Sequence, residues 1–133
     1  MVTLQVAACP DRLKLLRSVV TSAAEIASCS ETVVRDIVIA VDEACQNIIR
    51  HAYKGSPAGE IILEIDREDH HLVIFLKDFA PTVDVAKVKP RDLDDIRPGG
   101  LGTHFIRSVM DEVSFLAPPG GVGNILKLVK KIG

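Results

Sequence analysis

Val41-Asp42-Glu43-Ala44-Cys45-Gln46-Asn47-Ile48-Ile49-Arg50-His51-Ala52-Tyr53 closes a longer run that begins at Ser30, and its periodicity decides how the chain folds. Val34, Ile37, Val38, Val41, Cys45, Ile48 and Ala52 recur at steps of three and four, which at 3.6 residues per turn makes one apolar stripe facing a core. Ser30 supplies an oxygen for the start of this helix, and Glu31 places negative charge in its first turn. Gly55-Ser56-Pro57 stops it near Lys54. Glu43, Asn47 and His51 stand at i, i+4 and i+8, so a carboxylate, an amide and an imidazole share one row away from the centre of the stripe. Amphipathicity alone produces polar rows of this kind, so the rest of the chain must say whether this one carries chemistry.

Upstream, Thr3 to Ala8 alternates apolar and polar residues and ends before Pro10, the pattern of an edge strand. A second helix runs from Asp11 to about Ala27, with Leu13, Leu15, Leu16, Val19, Val20, Ala23, Ala24 and Ile26 giving a broad apolar face that predicts a mostly buried element. Downstream, Gly59 to Asp66 and His71 to Phe79 read as strands joined by the turn Arg67-Glu68-Asp69-His70. The adjacent His70 and His71 have no third ligand nearby in sequence and read as turn residues rather than a metal site. Val85 to Pro98 is polar and broken by Pro90 and Pro98, which predicts a lid-like loop. Gly99-Gly100-Leu101-Gly102 then opens a helix over Thr103 to Asp111. Strands over Val113 to Ala117 and Asn124 to Ile132 flank the turn Pro118-Pro119-Gly120-Gly121. The order β-α-α-β-β-lid-α-β-β predicts a two-layer α/β sandwich, with a mixed, mainly antiparallel sheet and helices on one face.

Bulk properties restrict the function. The 133 residues fit a single domain over 1–133, with 47% hydrophobic and 26% charged residues. The net charge of −2 gives no basic field for nucleic acid, so partners must be recognised by a site. No apolar run is long enough to span a membrane and no secretory pattern opens the chain, so a cytoplasmic location is expected. Cys9, Cys29 and Cys45 form no CxxC and read as buried free thiols.

A glycine-rich turn entering a helix offers unpaired backbone N–H groups and the positive end of the helix dipole to phosphate. Gly99 to Thr103 has that form, but it is neither a GxxxxGK[ST] loop nor a GxGxxG loop. Glu43-x-x-x-Asn47 on a helix, Asp78 at a strand end, a variable loop and Gly100-Leu101-Gly102 before a helix together resemble the spaced boxes of the GHKL (Bergerat-fold) ATPases. Val41 to Tyr53 and Gly99 to Val113 are similar, in order and spacing, to the anti-sigma factor serine kinases within that superfamily. Ala80 stands where the family pattern has glycine, which adds a Cβ where the backbone passes close to adenine.

The resemblance implies ATP and Mg²⁺ as cofactors, with Asn47 as metal ligand and Glu43 as catalytic base. It implies an ATP site of Asn47, His51, Asp78, Ala80, Gly100, Leu101, Gly102 and Thr103, in which Asp78 accepts from the adenine amino group and the glycine turn donates to phosphate. The implied partners are a sigma factor and an anti-anti-sigma (STAS-type) protein, with no direct nucleic-acid or membrane contact and with homodimerisation left open. Two alternatives stand beside a serine kinase: a non-catalytic ATP-binding or partner-binding module, and a detached histidine-kinase catalytic domain.

Overall fold

The structure is a computed structural model that describes residues 1–53, 59–80, 101–116, 118 and 123–132, without the side chains of His51, Ala52, Leu101, Gly102 and Thr103. Among the described residues there are five strands: β1 (Val2–Ala7), β2 (Glu60–Glu68), β3 (His71–Asp78), β4 (Glu112–Leu116) and β5 (Asn124–Lys131). They form one sheet in the order β1-β2-β3-β5-β4. All four pairings are antiparallel, so the described sheet has none of the parallel component that a mixed sheet allows. Among the described residues three α-helices pack on it: α1 (Leu13–Ile26), preceded by a 3₁₀ turn at Pro10–Arg12, α2 (Glu31–Asn47), and α3 (Leu101–Val109).

β1 lies at one edge, as its alternation and the proline beyond it predict, and β4 lies at the other. Period-2 patterning explains which strand face is covered. Ile61, Leu63 and Ile65 of β2 are buried, as are Leu72, Ile74 and Leu76 of β3, and all six join one core with Leu128 of β5. Glu68 pairs with His71, so the turn between β2 and β3 contracts to Asp69 and His70. Asp69 takes a φ of 55°, a left-handed conformation that aspartate tolerates better than most residues. His70 and His71 are exposed there.

α2 packs between α1 and α3, which explains why its buried arc is wider than the sequence stripe. Ile37, Val41, Cys45 and Ile48 are buried as expected, but so are Ala40, Ala44 and Ile49, while Val34 and Val38 only flank the core. The N-terminus is capped as read: the Val33 N–H donates to Ser30 Oγ at 3.3 Å. α1 departs from expectation. It buries a single stripe of Leu16, Val20, Ala23 and Ala24, and leaves Leu15 45% and Ile26 72% exposed, because the apolar arc counted from sequence exceeds what one helix lying on a sheet can cover. All three cysteines are free, but only Cys45 is buried; Cys9 and Cys29 are half-buried.

Candidate ATP site

α2 is regular as far as Asn47, and there the helix changes. Residues Ile48–Ala52 form a π-helical turn, closed by the Tyr53 N–H donating to the Ile48 carbonyl at 3.0 Å. Glu43 and Asn47 therefore share a helical row one turn apart, both half-buried. The spacing that extended this row to His51 does not continue, because the π turn inserts a residue into the i+4 ladder and shifts the phase of everything after it. The side chain of His51 lies outside the described residues.

Tyr53 spans from the end of that turn to the sheet. Its hydroxyl donates to the Glu60 carbonyl at 2.7 Å and accepts from the Phe79 N–H at 2.6 Å. Its ring covers Gly59 so closely that a Cβ there would lie 2.5 Å from ring carbons. The C-terminal end of α2 is thereby joined to the chain leaving β3.

Asp78 ends β3 and is 6% exposed, the one buried charged residue among those described. Its Oδ1 accepts the Ala80 N–H at 3.0 Å and the Asn124 Nδ2 at 2.9 Å. Burial pushes the carboxyl above its usual value, and these two bonds, first from Asn124 and then from Ala80, pull part of the way back. Both bonds fall on one oxygen, so Oδ2 keeps its acceptor capacity for an N–H donor. Asn124 is the register partner of Asp78 across β3 and β5. Just before it, Gly123 has a φ of +86°, and a Cβ there would collide with the Asp78 carbonyl oxygen.

Ala80 is buried, 4% exposed, and its φ is not in the left-handed region, so its backbone accommodates alanine without strain. The glycine turn expected from sequence to meet phosphate is described in part. α3 begins at Leu101, two residues before the sequence expectation, so Leu101, Gly102 and Thr103 form its first turn, where α geometry leaves N–H groups without intrahelical partners. Gly100 and the expected lid, Val85 to Pro98, lie outside the described residues.

Asn124, Gly123 and Tyr53 were not singled out from sequence. Asn124 and Gly123 meet Asp78 only through the long-range pairing of β3 with β5, which no local pattern reports. Tyr53 is the last residue of the recognised stretch, and a hydroxyl on a side chain able to be buried there is the available signal.

Residues 6–130 match the family model described as a histidine kinase-like ATPase domain. The chain belongs to that family. It is 32% identical over 127 residues to the serine-protein kinase RsbW of Listeria innocua, covering 90% of this chain and 81% of that protein. Among solved structures it is similar to the RsbU and RsbW domains of a Mycobacterium tuberculosis protein, with a TM-score of 0.64 and 13% identity over 99% of this chain and 33% of that one. It is also similar to the SiaB-SiaC complex of Pseudomonas aeruginosa, with a TM-score of 0.62 and 16% identity over 99% of this chain and 90% of that one. These structural likenesses agree on the α/β fold, and the sequence similarity places the chain in one family with serine-protein kinases.

Proposed function

We propose that this chain is an ATP-dependent serine-protein kinase that also acts as an anti-sigma factor, binding a sigma factor and phosphorylating an anti-anti-sigma (STAS-type) protein on serine in the cytoplasm. The observation that carries the nucleotide reading is Asp78: a nearly fully buried carboxylate, fixed through one oxygen, with the other suited to a purine amino group. The family match and the similarity to RsbW support the kinase reading.

Each residue then has a definite task. Asp78 orients the base. The first turn of α3 donates backbone N–H groups to phosphate, together with Gly100 before it. Glu43 accepts the proton of the attacking serine hydroxyl. The amide oxygen of Asn47, half-buried one turn from that carboxylate, fits a hard cation that retains several waters. Magnesium, when bound, neutralises charge on the phosphate oxygens. His51 is retained as a phosphate-side candidate through its chain position after Asn47, and Ala80 lines the base side beside Asp78.

The test follows labelled phosphate from ATP to a purified STAS-type protein, with wild type and Glu43→Gln side by side. The substitution keeps size and hydrogen bonding but removes the base, so transfer should fall by about 10²–10⁴ while ATP affinity holds. Wild-type protein that binds ATP and a sigma factor yet transfers no phosphate overturns the kinase reading.

A further inference from the structure

We propose that the Tyr53 hydroxyl is a positioning residue for base selectivity: by inserting between Glu60 and Phe79 it stops the β2/β3 ladder at Asp78 and sets where that carboxylate points. This rests on the reading of Asp78 as the group that meets the purine amino group.

The register of β2 and β3 carries the argument. Ile61 opposite Asp78 is their last pair, and continuing the ladder by one step would set Glu60 opposite Phe79. Those are the two residues that the Tyr53 hydroxyl bonds. Phe79 N–H donates to the phenol oxygen at 2.6 Å, and the phenol O–H donates to the Glu60 carbonyl at 2.7 Å. A side-chain hydroxyl thus relays what would otherwise be a direct backbone bond, and holds the two strand ends apart by one oxygen.

The chain is then free to turn immediately after Asp78. The next amide, Ala80 N–H, folds back onto Asp78 Oδ1, and Asn124 bonds the same oxygen from the other side. Tyr53 fixes residue 79, Asp78 fixes residue 80, and the orientation of Oδ2 follows from both. Gly59 belongs to the same device, since the ring lies where any Cβ on residue 59 would be. Without the hydroxyl the ladder is able to close by one pair, drawing Phe79 toward β2 and pulling on the turn that fixes the carboxylate.

The experiment compares ATP with inosine triphosphate, whose base lacks the exocyclic amino group, by direct binding to wild type, Tyr53→Phe, Gly59→Ala and Asp78→Asn. Circular dichroism and the unfolding midpoint of each variant report the fold. Tyr53→Phe is expected to weaken ATP by about two- to tenfold, the scale of one ordinary hydrogen bond, and to leave inosine triphosphate nearly unchanged. Gly59→Ala keeps the hydroxyl but displaces the ring, and is expected to cut the same preference; it carries the comparison if Tyr53→Phe does not fold. A general loosening of the fold lowers both affinities together, and that result overturns the proposal. So does a preference retained in both Tyr53→Phe and Gly59→Ala while Asp78→Asn abolishes it. A wild type with no preference for ATP overturns the reading of Asp78 itself, and the role of Tyr53 with it.

Discussion

In the proposed role, Asp78 is expected to couple binding to stability in opposite directions. Its carboxyl holds a proton more tightly in the folded protein than in the unfolded chain, because burial raises it from the ordinary value near 3.8. Between the unfolded and folded values the native state binds more protons, so stability falls as pH rises through that window and stays lower above it. Asp78→Asn keeps an oxygen for Ala80 and Asn124 but has no charge to desolvate. The variant is expected to lose this pH slope and, at neutral pH, to unfold at an equal or higher denaturant midpoint than wild type. Its amide NH₂ faces a donor with a donor, so ATP affinity should drop by about 1–3 kcal/mol, read by calorimetry. Unchanged ATP affinity would remove Asp78 from the site. Sequence pointed to Asp78 through its place at a strand end, but its burial and its bond to Asn124 depend on a strand that arrives 46 residues later. The alanine at 80 was equally visible, and only the backbone geometry shows that its Cβ is accommodated.

The helix that organises the chain was legible because its signals are local. The serine cap and the acidic first turn are adjacent in sequence and the structure reproduces both, while of the apolar stripe it buries Ile37, Val41, Cys45 and Ile48. Two features escaped. Ala40 and Ala44 join the core because α1 and α3 close on both flanks, and a sequence stripe drawn for one contact face does not foresee a second. The π turn at Ile48–Ala52 has no sequence marker of comparable strength, so a row extrapolated at 3.6 residues per turn ran past the point where that period holds. The cap offers a clean test of the element. Ser30→Ala removes the acceptor for Val33 N–H, and the long 3.3 Å bond puts the expected loss at the lower end of the cap range, about 0.5–1 kcal/mol. The midpoint of urea unfolding should shift with no change in slope, and ATP affinity should stay at the wild-type level, because the cap lies at the opposite end of α2 from Asn47. A change in nucleotide affinity would show that the helix transmits strain along its length.

At the scale of the whole molecule, antiparallel pairing was readable from the two short connections, but the placement of β5 between β3 and β4 was not. That placement is a long-range choice made by burial: Leu128 enters the same core as Ile74, its register partner. It also brings Gly123 against Asp78. Gly123→Ala must adopt a left-handed conformation and meet a backbone oxygen, so it is expected to destabilise by at least about 1–2 kcal/mol and to weaken ATP binding as Asp78 is displaced. Thermal unfolding with and without ATP separates these effects, and an alanine variant as stable as wild type would contradict the close approach.

β3 has a strand on each side, and its register partners run without a gap from His71 to Asp78 on both. Amide exchange converts that topology into a clock. The N–H groups of the β3 interior are released to solvent deuterium only when the sheet itself opens, and should be among the slowest in the protein. One and two residues beyond Asp78, the amides of Phe79 and Ala80 are held by a phenol oxygen and a carboxylate, not by a ladder, and local opening suffices to free them. The chain therefore passes from its slowest protons to fast ones within a few residues at the place where the nucleotide is proposed to bind, and the occupancy of the site should be readable as a delay in those two amides.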